Sequence, residues 1–570
     1  MLKVLLAVVV VVVAGVWYLA PPAARPLAPL PPGLSEPPPR GAIHIHTRRS
    51  DGTGTVDEAA AAAAAAGLKF IILTDHGDGT READKPQYRS GVLTIDAVEI
   101  STDGGHIVAL GLPRSTYPLG GEPRDVLDDI ARVRGFALAA HPGSVKPELR
   151  WRDWDAPVGG LEWINADSEW RDESMWLLLR ALFTYPLRRS ESLATLLDKP
   201  DEVLRQWDKL TLERRVVAVA AADAHARVGL RTVGEPYDTG ASIHMPAYED
   251  SFRAFSISLP QAALTGNAPS DAAAVLAAIR AGHVYSTIDA VGGPAVMSFT
   301  ATSRERKAVG GDDLSAASPV TLRVEVQAPA DAQIVLFKNG APAAMATGTT
   351  LEHMAAAERA VYRVEVNLPG APGQPPVPWI VSNPVYVGRV PPSITTDAGR
   401  LQPAPTSPTK FDVRYSDGPA TGWTIEKSAS SLAAFDVVPA APGTQISFRY
   451  ALGGTKAASP FTALVMPAGQ ALPEFDRLMF MGRSDRPTRL SVQLRVPNGP
   501  AGQRWHRSVY LDTMPKVVTI RFDDLKPRGE TSQARPDLSA VQSVLFVVDT
   551  VNADIGASGQ VWIDDVRYGR

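Results

Sequence analysis

Short apolar runs alternate with helical stretches across residues 41–304, and ligand-type polar residues fall at the ends of those runs. Residues 42–46 form a β run. Residues 55–58 read TVDE, a capping box that opens a helix of alanines, and Gly67 closes it. Residues 69–74 form a second apolar strand. Strand, helix and strand in that order make a βαβ unit, which requires parallel strands. The pattern continues with strands predicted over 92–100, 106–112, 136–140, 160–164, 216–222 and 284–287. Helices are predicted over 122–134, 172–183, 201–214 and 271–281.

The texture changes near residue 304. Residues 319–327 alternate as PVTLRVEVQ, and AQIVLFK at 332–338 runs into the turn Asn339-Gly340. Residues 362–367 alternate again, and 379–387 end the unit. This spacing of short strands predicts an immunoglobulin-like β-sandwich over 305–388. A Pro-rich linker follows over 389–409. Residues 410–570 are strand-rich to the end, where the chain reads GQVWIDDVRYG.

Ahead of these domains, residues 4–20 are an unbroken apolar run behind a single Lys3. A spanning helix needs roughly 17–25 such residues, against about 7–15 for a signal h-region. Trp17 and Tyr18 fit an interfacial belt, and Pro21 and Pro22 make a poor cleavage site. Residues 1–22 therefore read as a transmembrane anchor, with a cleaved signal peptide as the alternative. Lys3 on the inside places the remainder in the cell envelope, anchored in the inner membrane and facing the periplasm, or secreted there. The Pro-rich residues 23–40 are a semi-rigid spacer.

Composition narrows the chemistry. The chain has 570 residues, room for several domains, and a net charge of −4, which gives no footprint for nucleic acid. With Cys 0 there are no disulfides, thiolate metal sites or cysteine nucleophiles. Eight of the ten histidines lie between His44 and His283. His44/His46, Asp75/His76, Glu99, His141 and Asp223/His225 sit at or just past predicted strand ends. In a parallel α/β barrel those ends share the face that carries chemistry. Imidazole and carboxylate without thiolate suits Zn²⁺, Mn²⁺ or Fe²⁺. On a strand, residues spaced by two point to one side, so His44 and His46 pair, as do Asp223 and His225. Glu99 can bridge two ions, the arrangement of two-metal phosphoester hydrolysis. No G-x-S-x-G elbow offers a serine alternative.

HIHTRRSDG, LTDHG, the glutamate after a strand, AHPG and ADAH, in that order, resemble the motifs of the PHP (polymerase and histidinol phosphatase) superfamily. EISTDGGHIVALGL, AIRAGHVYST and WIVSNPVYVG resemble its carbaryl-hydrolase-like branch. The resemblance spans about 41–298. It implies a distorted (β/α)₇ TIM-like barrel over 41–304 with two or three divalent ions. His44, His46, Glu99 and Asp223 would hold one ion, and Asp51, His76 and His225 another. Glu99 and His141 would serve a third or shared position. The implied activity is a metal-dependent hydrolase using metal-activated hydroxide, a phosphoesterase first. A carboxylic or carbamic ester hydrolase on the same site is the alternative.

His106 is a candidate catalytic residue or further ligand. Asp75 is a second catalytic candidate, orienting His76. Arg227 and Asn165 are candidate substrate contacts, with a helix cap as the other reading of Asn165. His244 and His283 lie outside the motifs and read as ordinary histidines. Residues 410–570 resemble galactose-binding-like jelly rolls, which makes carbohydrate a candidate partner. Trp423 and Trp505 are then sugar platforms or core. A non-catalytic carbohydrate-binding surface protein with an inactive barrel is the reading from another class. Substrate choice is expected in the loops 77–89, 144–158 and 227–256.

Overall fold

The computed structural model describes residues 15–34, 37–229, 242–243, 245–304, 306–315, 318–388, 408–497, 502–529, 531 and 533–570. Most of the expected leader, nearly all of the 389–409 linker, His244 and residues 230–241 of one expected substrate loop lie outside the described residues. Among the described residues, no helix is long and apolar enough to cross a membrane. The protein is multidomain and rich in β-sheet, and it divides into two compact units. One is Met1–Pro113 with Leu127–Ala398, the other Arg114–Val126 with Gly399–Arg570.

The first unit begins with β1 (Arg40–Ile43), β2 (Phe70–Leu73) and β3 (Val92–Asp96), which pair in parallel. Between β1 and β2, helix α1 (Val56–Ala65) starts at a capping box. Thr55 N donates to Glu58 Oε2 at 2.7 Å and Glu58 N donates to Thr55 Oγ1 at 3.2 Å. Ala59, Ala60 and Ala63 are buried, and their small side chains let the helix lie close on β2 and β3.

A second sheet follows the order β4 (Val98–Thr102), β5 (Gly105–Leu110), β6 (Phe136–Ala139), β7 (Gly160–Asn165) and β8 (Val217–Ala221). The single strand expected over 92–100 is thus two strands in two sheets, parted at Ala97. The expected all-parallel order also gives way. Only Asp103 and Gly104 connect β4 to β5, and so short a link permits antiparallel pairing alone. β5 and β6 are antiparallel too, while β6, β7 and β8 are parallel. Hydrogen bonds join the two sheets at both margins. Ala222 N donates to Ile43 O at 2.9 Å and His46 N to Ala224 O at 3.0 Å. On the other side Ala97 N donates to Leu73 O at 2.8 Å and Gly77 N to Glu99 O at 3.0 Å. The apolar faces between them, including Ile43, Ile72, Leu93, Val108, Leu138 and Val219, form one core.

The first sheet does not stop at residue 304. β9 (Ser256–Ser258) and β10 (Tyr285–Thr287) extend it from β1, and β10 pairs antiparallel with Ile380–Ser382. Of the strands expected to form a sandwich, Gln333–Lys338, Ala360–Asn367, Ile380–Ser382 and Val385–Val387 continue the same sheet, while Val320–Val326 pairs with Met297–Thr302 in a separate four-stranded sheet. Arg363 ties the two parts further, holding Asp208 through Nε at 2.6 Å and Nη2 at 2.8 Å.

The second unit packs two six-stranded antiparallel sheets around a core that includes Trp423, Phe448, Phe480, Trp505, Phe546 and Tyr568. Arg114–Val126 belongs to it despite its place in the sequence. Arg489 Nη2 donates to Asp125 O at 2.7 Å, and Asn552 Nδ2 donates to Pro118 O at 3.0 Å. Trp423 stacks on Phe546 at 5.9 Å, and Trp505 Nε1 donates to Gln533 O at 2.9 Å. Both indoles are buried, so neither is a platform for a sugar ring.

Candidate metal centre

The two parallel β sets and the antiparallel β4–β5 pair bring their ligand-bearing ends together. His44 follows β1, His141 follows β6 and Asp223 follows β8. All three have left-handed backbones, with φ of 66°, 30° and 41°. Such conformations cost a non-glycine residue about 1–3 kcal/mol and cluster where function requires them. They also replace the strand alternation expected for His44 and His46. The strand has already ended at Ile43, and the turn at His44 sets the two rings 5.1 Å apart. His106 arrives because β5 runs antiparallel to β4: it sits opposite Ser101, two residues along β4 from Glu99 and so on the same face.

Glu99 is the hub, with its side chain buried. Its Oε1 lies 2.7 Å from His106 Nδ1 and 2.8 Å from His141 Nε2. Its Oε2 lies 3.1 Å from His44 Nε2, 3.2 Å from His46 Nε2 and 3.3 Å from His76 Nδ1. Asp223 Oδ1 stands 3.4 Å from His44 Nε2 and 3.3 Å from His46 Nε2. Asp51 Oδ2 lies 3.1 Å from His225 Nε2, and Oδ1 lies 3.4 Å from His46 Nδ1 and 3.8 Å from His76 Nε2.

The donor set fits divalent ions. Ligand atoms converge within 4.8 Å in four overlapping groups: His46, Asp51, His76, His225; His44, His46, Asp223; His44, Glu99, His141; and His76, Glu99, His106. His46 Nε2 is buried beside two carboxylates yet aligned for a hydrogen bond with neither, as expected of atoms aimed at a common point. Three histidines repeat one arrangement. Nδ1 donates to a fixed acceptor, which is Glu162 Oε1 at 2.5 Å for His44, Leu149 O at 3.0 Å for His141, and Asp223 O at 2.9 Å for His225. Each Nε2 then faces a carboxylate. Fixing the proton on Nδ1 leaves Nε2 as the lone-pair donor to a metal.

The protonation of the metal-free cluster follows from its charges. Burial opposes an imidazolium at His46, but the Asp223 and Glu99 carboxylates overcome it and push the pKa up to about 10. His44, His141 and His225 are raised against the same burial by Asp223, Glu99, Glu162 and Asp51. Burial lowers His76 to about 4, aided by the charges of His46 and His106. Burial would raise Glu99, Asp223 and Asp51, yet the surrounding imidazolium charges hold all three below the ordinary carboxylate range. Protons thus occupy the atoms that an ion would take, and ion binding must release them.

The remaining expected residues have other positions. Asp75, expected to orient His76, is bound to Thr47 and Ser50. Its Oδ1 accepts from Thr47 N at 2.6 Å and Ser50 Oγ at 2.8 Å, and its Oδ2 from Thr47 Oγ1 at 2.7 Å. It braces the turn that carries Asp51. Asn165 is equally committed: Oδ1 caps the next helix by accepting from Ser168 N at 3.1 Å, and Nδ2 donates to Glu162 Oε2 at 2.8 Å. Substrate contact is not its place. Arg227 Nη2 lies 3.5 Å from Asp51 Oδ2, at the edge of the cluster. His283 pairs with Asp312 at 2.8 Å, outside the centre.

Glu162 is the residue that sequence reading missed. It is fully buried, orients His44, and its Oε2 also accepts from His141 N at 2.7 Å. Its only sequence signal is one charge within the otherwise uncharged strand GLEWIN. Tyr248 is a second omission; its hydroxyl donates to His46 O at 2.6 Å and accepts from Gly54 N at 3.2 Å.

No family model matches the chain. A curated relative, the 3',5'-nucleoside bisphosphate phosphatase of Chromobacterium violaceum, is 32% identical over 122 residues, which is 20% of this chain. The match spans 43% of that relative's own length. Similar solved structures include a family 11 carbohydrate-binding module of a Clostridium thermocellum cellulosomal cellulase, 15% identical, covering 28% of this chain and 95% of that one, TM-score 0.24. A family 30 module from another such cellulase is 13% identical, with 28% and 96% coverage and TM-score 0.22. Likeness at those TM-scores is too slight to bear on fold or ligand. The weak homology to a phosphatase and the donor groups are consistent with a metal-binding hydrolase.

Proposed function

We propose that the chain is a PHP-type metal-dependent phosphoesterase, held in the cell envelope by its apolar N-terminal run and facing the periplasm. The observation that carries this reading is the convergence of His44, His46, His76, His106 and His141 on the single buried carboxylate of Glu99. The joining of the β1–β3 sheet to the β4–β8 sheet through hydrogen bonds at both margins supports a closed, distorted barrel-like arrangement. The phosphatase relative supports the phosphoester as the scissile group.

In this reading His44, His46, Glu99 and Asp223 hold one ion, and Asp51, His76 and His225 another. Glu99 and His141 would serve a third or shared position. Bound divalent ions supply Lewis-acid charge against a phosphoryl oxygen and lower the pKa of water. The protein supplies the rest. Glu162 and the Leu149 and Asp223 carbonyls fix ring orientation. Asp75 and Tyr248 hold the 47–54 turn that presents Asp51. Arg227 adds positive charge at the rim for a phosphate. His106 meets Glu99 through Nδ1, which leaves Nε2 as its atom for proton transfer to a leaving group.

A panel of phosphomonoester, phosphodiester, carboxylic ester and carbamate substrates with Mn²⁺ or Zn²⁺ tests the proposal. Phosphoester turnover lost in Asp223→Ala is the expected result. Turnover of carboxylic esters or carbamates alone would move the chain to that chemistry, and no turnover of any substrate would reject a hydrolase.

A further inference from the structure

Helix α2 (Met175–Thr184) reads MWLLLRALFT, with one charge in ten residues. A surface helix ordinarily turns polar residues to water. This one does the opposite. Met175 is 70% exposed, Trp176 62%, Leu179 40%, Leu182 46% and Phe183 60%, and Leu187 just beyond is 41% exposed. Their spacing by three and four puts them on one face. A contiguous apolar face of this kind marks an interaction surface rather than a chance exposure.

The chain indicates what covers it. Residues 4–20 are the unbroken apolar run, and its far end is fastened to this helix. Arg180 Nε donates to Leu19 O at 2.9 Å, and Arg188 donates to Pro21 O. Trp17 and Tyr18, the aromatic pair at that end, are 57% and 89% exposed. An apolar run embedded in a bilayer would therefore hold the Met175–Phe183 face at the lipid surface, with Trp176 at interfacial depth.

The inner side of the same helix lines a cavity of about 280 Å³. Leu178, Ala181, Leu182 and Tyr185 form one wall, and Asp223, His225 and Arg227 of the metal centre form another. Leu182 belongs to both the exposed face and the cavity wall. A site for a small hydrophilic phosphate has no use for this apolar wall. A substrate with an apolar tail does.

We propose that α2 lies on a lipid bilayer, and that the cavity behind it receives the apolar tail of a membrane-borne phosphoester whose phosphate is set at the metal centre. The substrate half rests on the phosphoesterase reading; the docking half does not. For a long-chain alkyl phosphate, the oxygen of water adds to phosphorus and the P–O bond to the alkyl chain breaks. One water proton goes to the departing alkoxide, which leaves as the alcohol, and the other stays on the inorganic phosphate.

The test uses the full chain, metal-loaded, with two measurements. First, phosphatidylcholine vesicles with brominated acyl chains quench tryptophan fluorescence, and Trp176→Phe removes part of that quenching. Equal quenching in both proteins would overturn docking, including the case in which a protein segment covers the helix. Second, hexadecyl phosphate in vesicles is compared with butyl phosphate in solution. The double variant Trp176→Ser, Phe183→Ser slows the vesicle substrate by about tenfold or more, as loss of two buried apolar side chains implies, and leaves butyl phosphate within about twofold. Equal slowing of both, or of neither, would overturn the delivery role. If the wild type hydrolyses neither phosphate, the phosphoesterase reading and the substrate half fall together, while the quenching result decides docking by itself.

Discussion

Glu162 Oε1 sits 2.5 Å from His44 Nδ1, and both side chains are wholly buried. The carboxylate fixes the ring so that Nε2 points at Glu99 and Asp223. Partners of this kind govern metal affinity without touching the metal. Glu162→Gln keeps the shape and removes the charge. Metal titration of the variant should show affinity lower by about 10–100-fold, with a circular dichroism spectrum like the wild type. Unchanged affinity would reduce Glu162 to a packing residue.

The metal-free protein should have a distinctive pH dependence. His46 is held up to about 10, above its ordinary value of 6.5. A histidine with a raised folded pKa contributes stability that is complete below the unfolded value and is lost as pH rises through the folded one. His44, His141 and His225 share that sign. His76, lowered to about 4, has the opposite sign, losing stability as pH falls below 6.5. The lowered Glu99, Asp223 and Asp51 add stability that is lost as pH falls through the carboxylate range. Thermal melts of chelator-treated protein should therefore decline from about pH 6.5 towards pH 10. Metal-loaded protein should not share that decline, because the ions have replaced the protons. Parallel curves for the two forms would count against proton–metal exchange.

Gly52 lies against the backbone of His46. A Cβ at that position would come 2.2 Å from His46 O, and backbone cannot move aside cheaply. Gly52→Ala should distort the 47–54 turn and destabilise the protein by about 1–3 kcal/mol. Metal affinity should fall with it, because Asp51 rides on that turn. A wild-type melting temperature and wild-type metal binding would show that the turn yields without consequence.

In the second unit, Trp505 is 1% exposed at the centre of the core. Trp505→Ala should cost about 3–5 kcal/mol, read from denaturant unfolding of the full chain. A stable Trp505→Ala variant that had lost affinity for a polysaccharide would restore the platform role excluded by its burial.

Many of the candidate ligands were legible at strand ends because histidines and carboxylates following apolar runs are a local signal. What the sequence hid was pairing. Nothing local shows that Ala97 moves the chain from one sheet to another, or that β4 and β5 run antiparallel. The two-residue rule brought His44 and His46 together by strand alternation, whereas a left-handed turn at His44 does so. Glu162 was invisible because its role depends on β7 lying beside β6 and opposite His44. The pairing of Tyr285–Thr287 with Ile380–Ser382, which joins strands from two regions expected to be separate, spans too much sequence for any local pattern to reveal. The exposed face of α2 escaped for a simpler reason: an apolar helix in sequence reads as core.

The most direct measurement is the divalent metal content of the purified full chain, taken alongside phosphoester turnover, for wild type and His46→Ala. His46 Nε2 faces Glu99 and Asp223 at the first inferred ion position, and its Nδ1 faces Asp51 of the second, so its loss removes a ligand from one and a direct neighbour from the other. The wild type should hold at least two ions per chain, and His46→Ala should lose both metal and turnover. A wild type that hydrolyses phosphoesters without metal, or a His46→Ala variant that retains full metal and full turnover, would refute the metal centre.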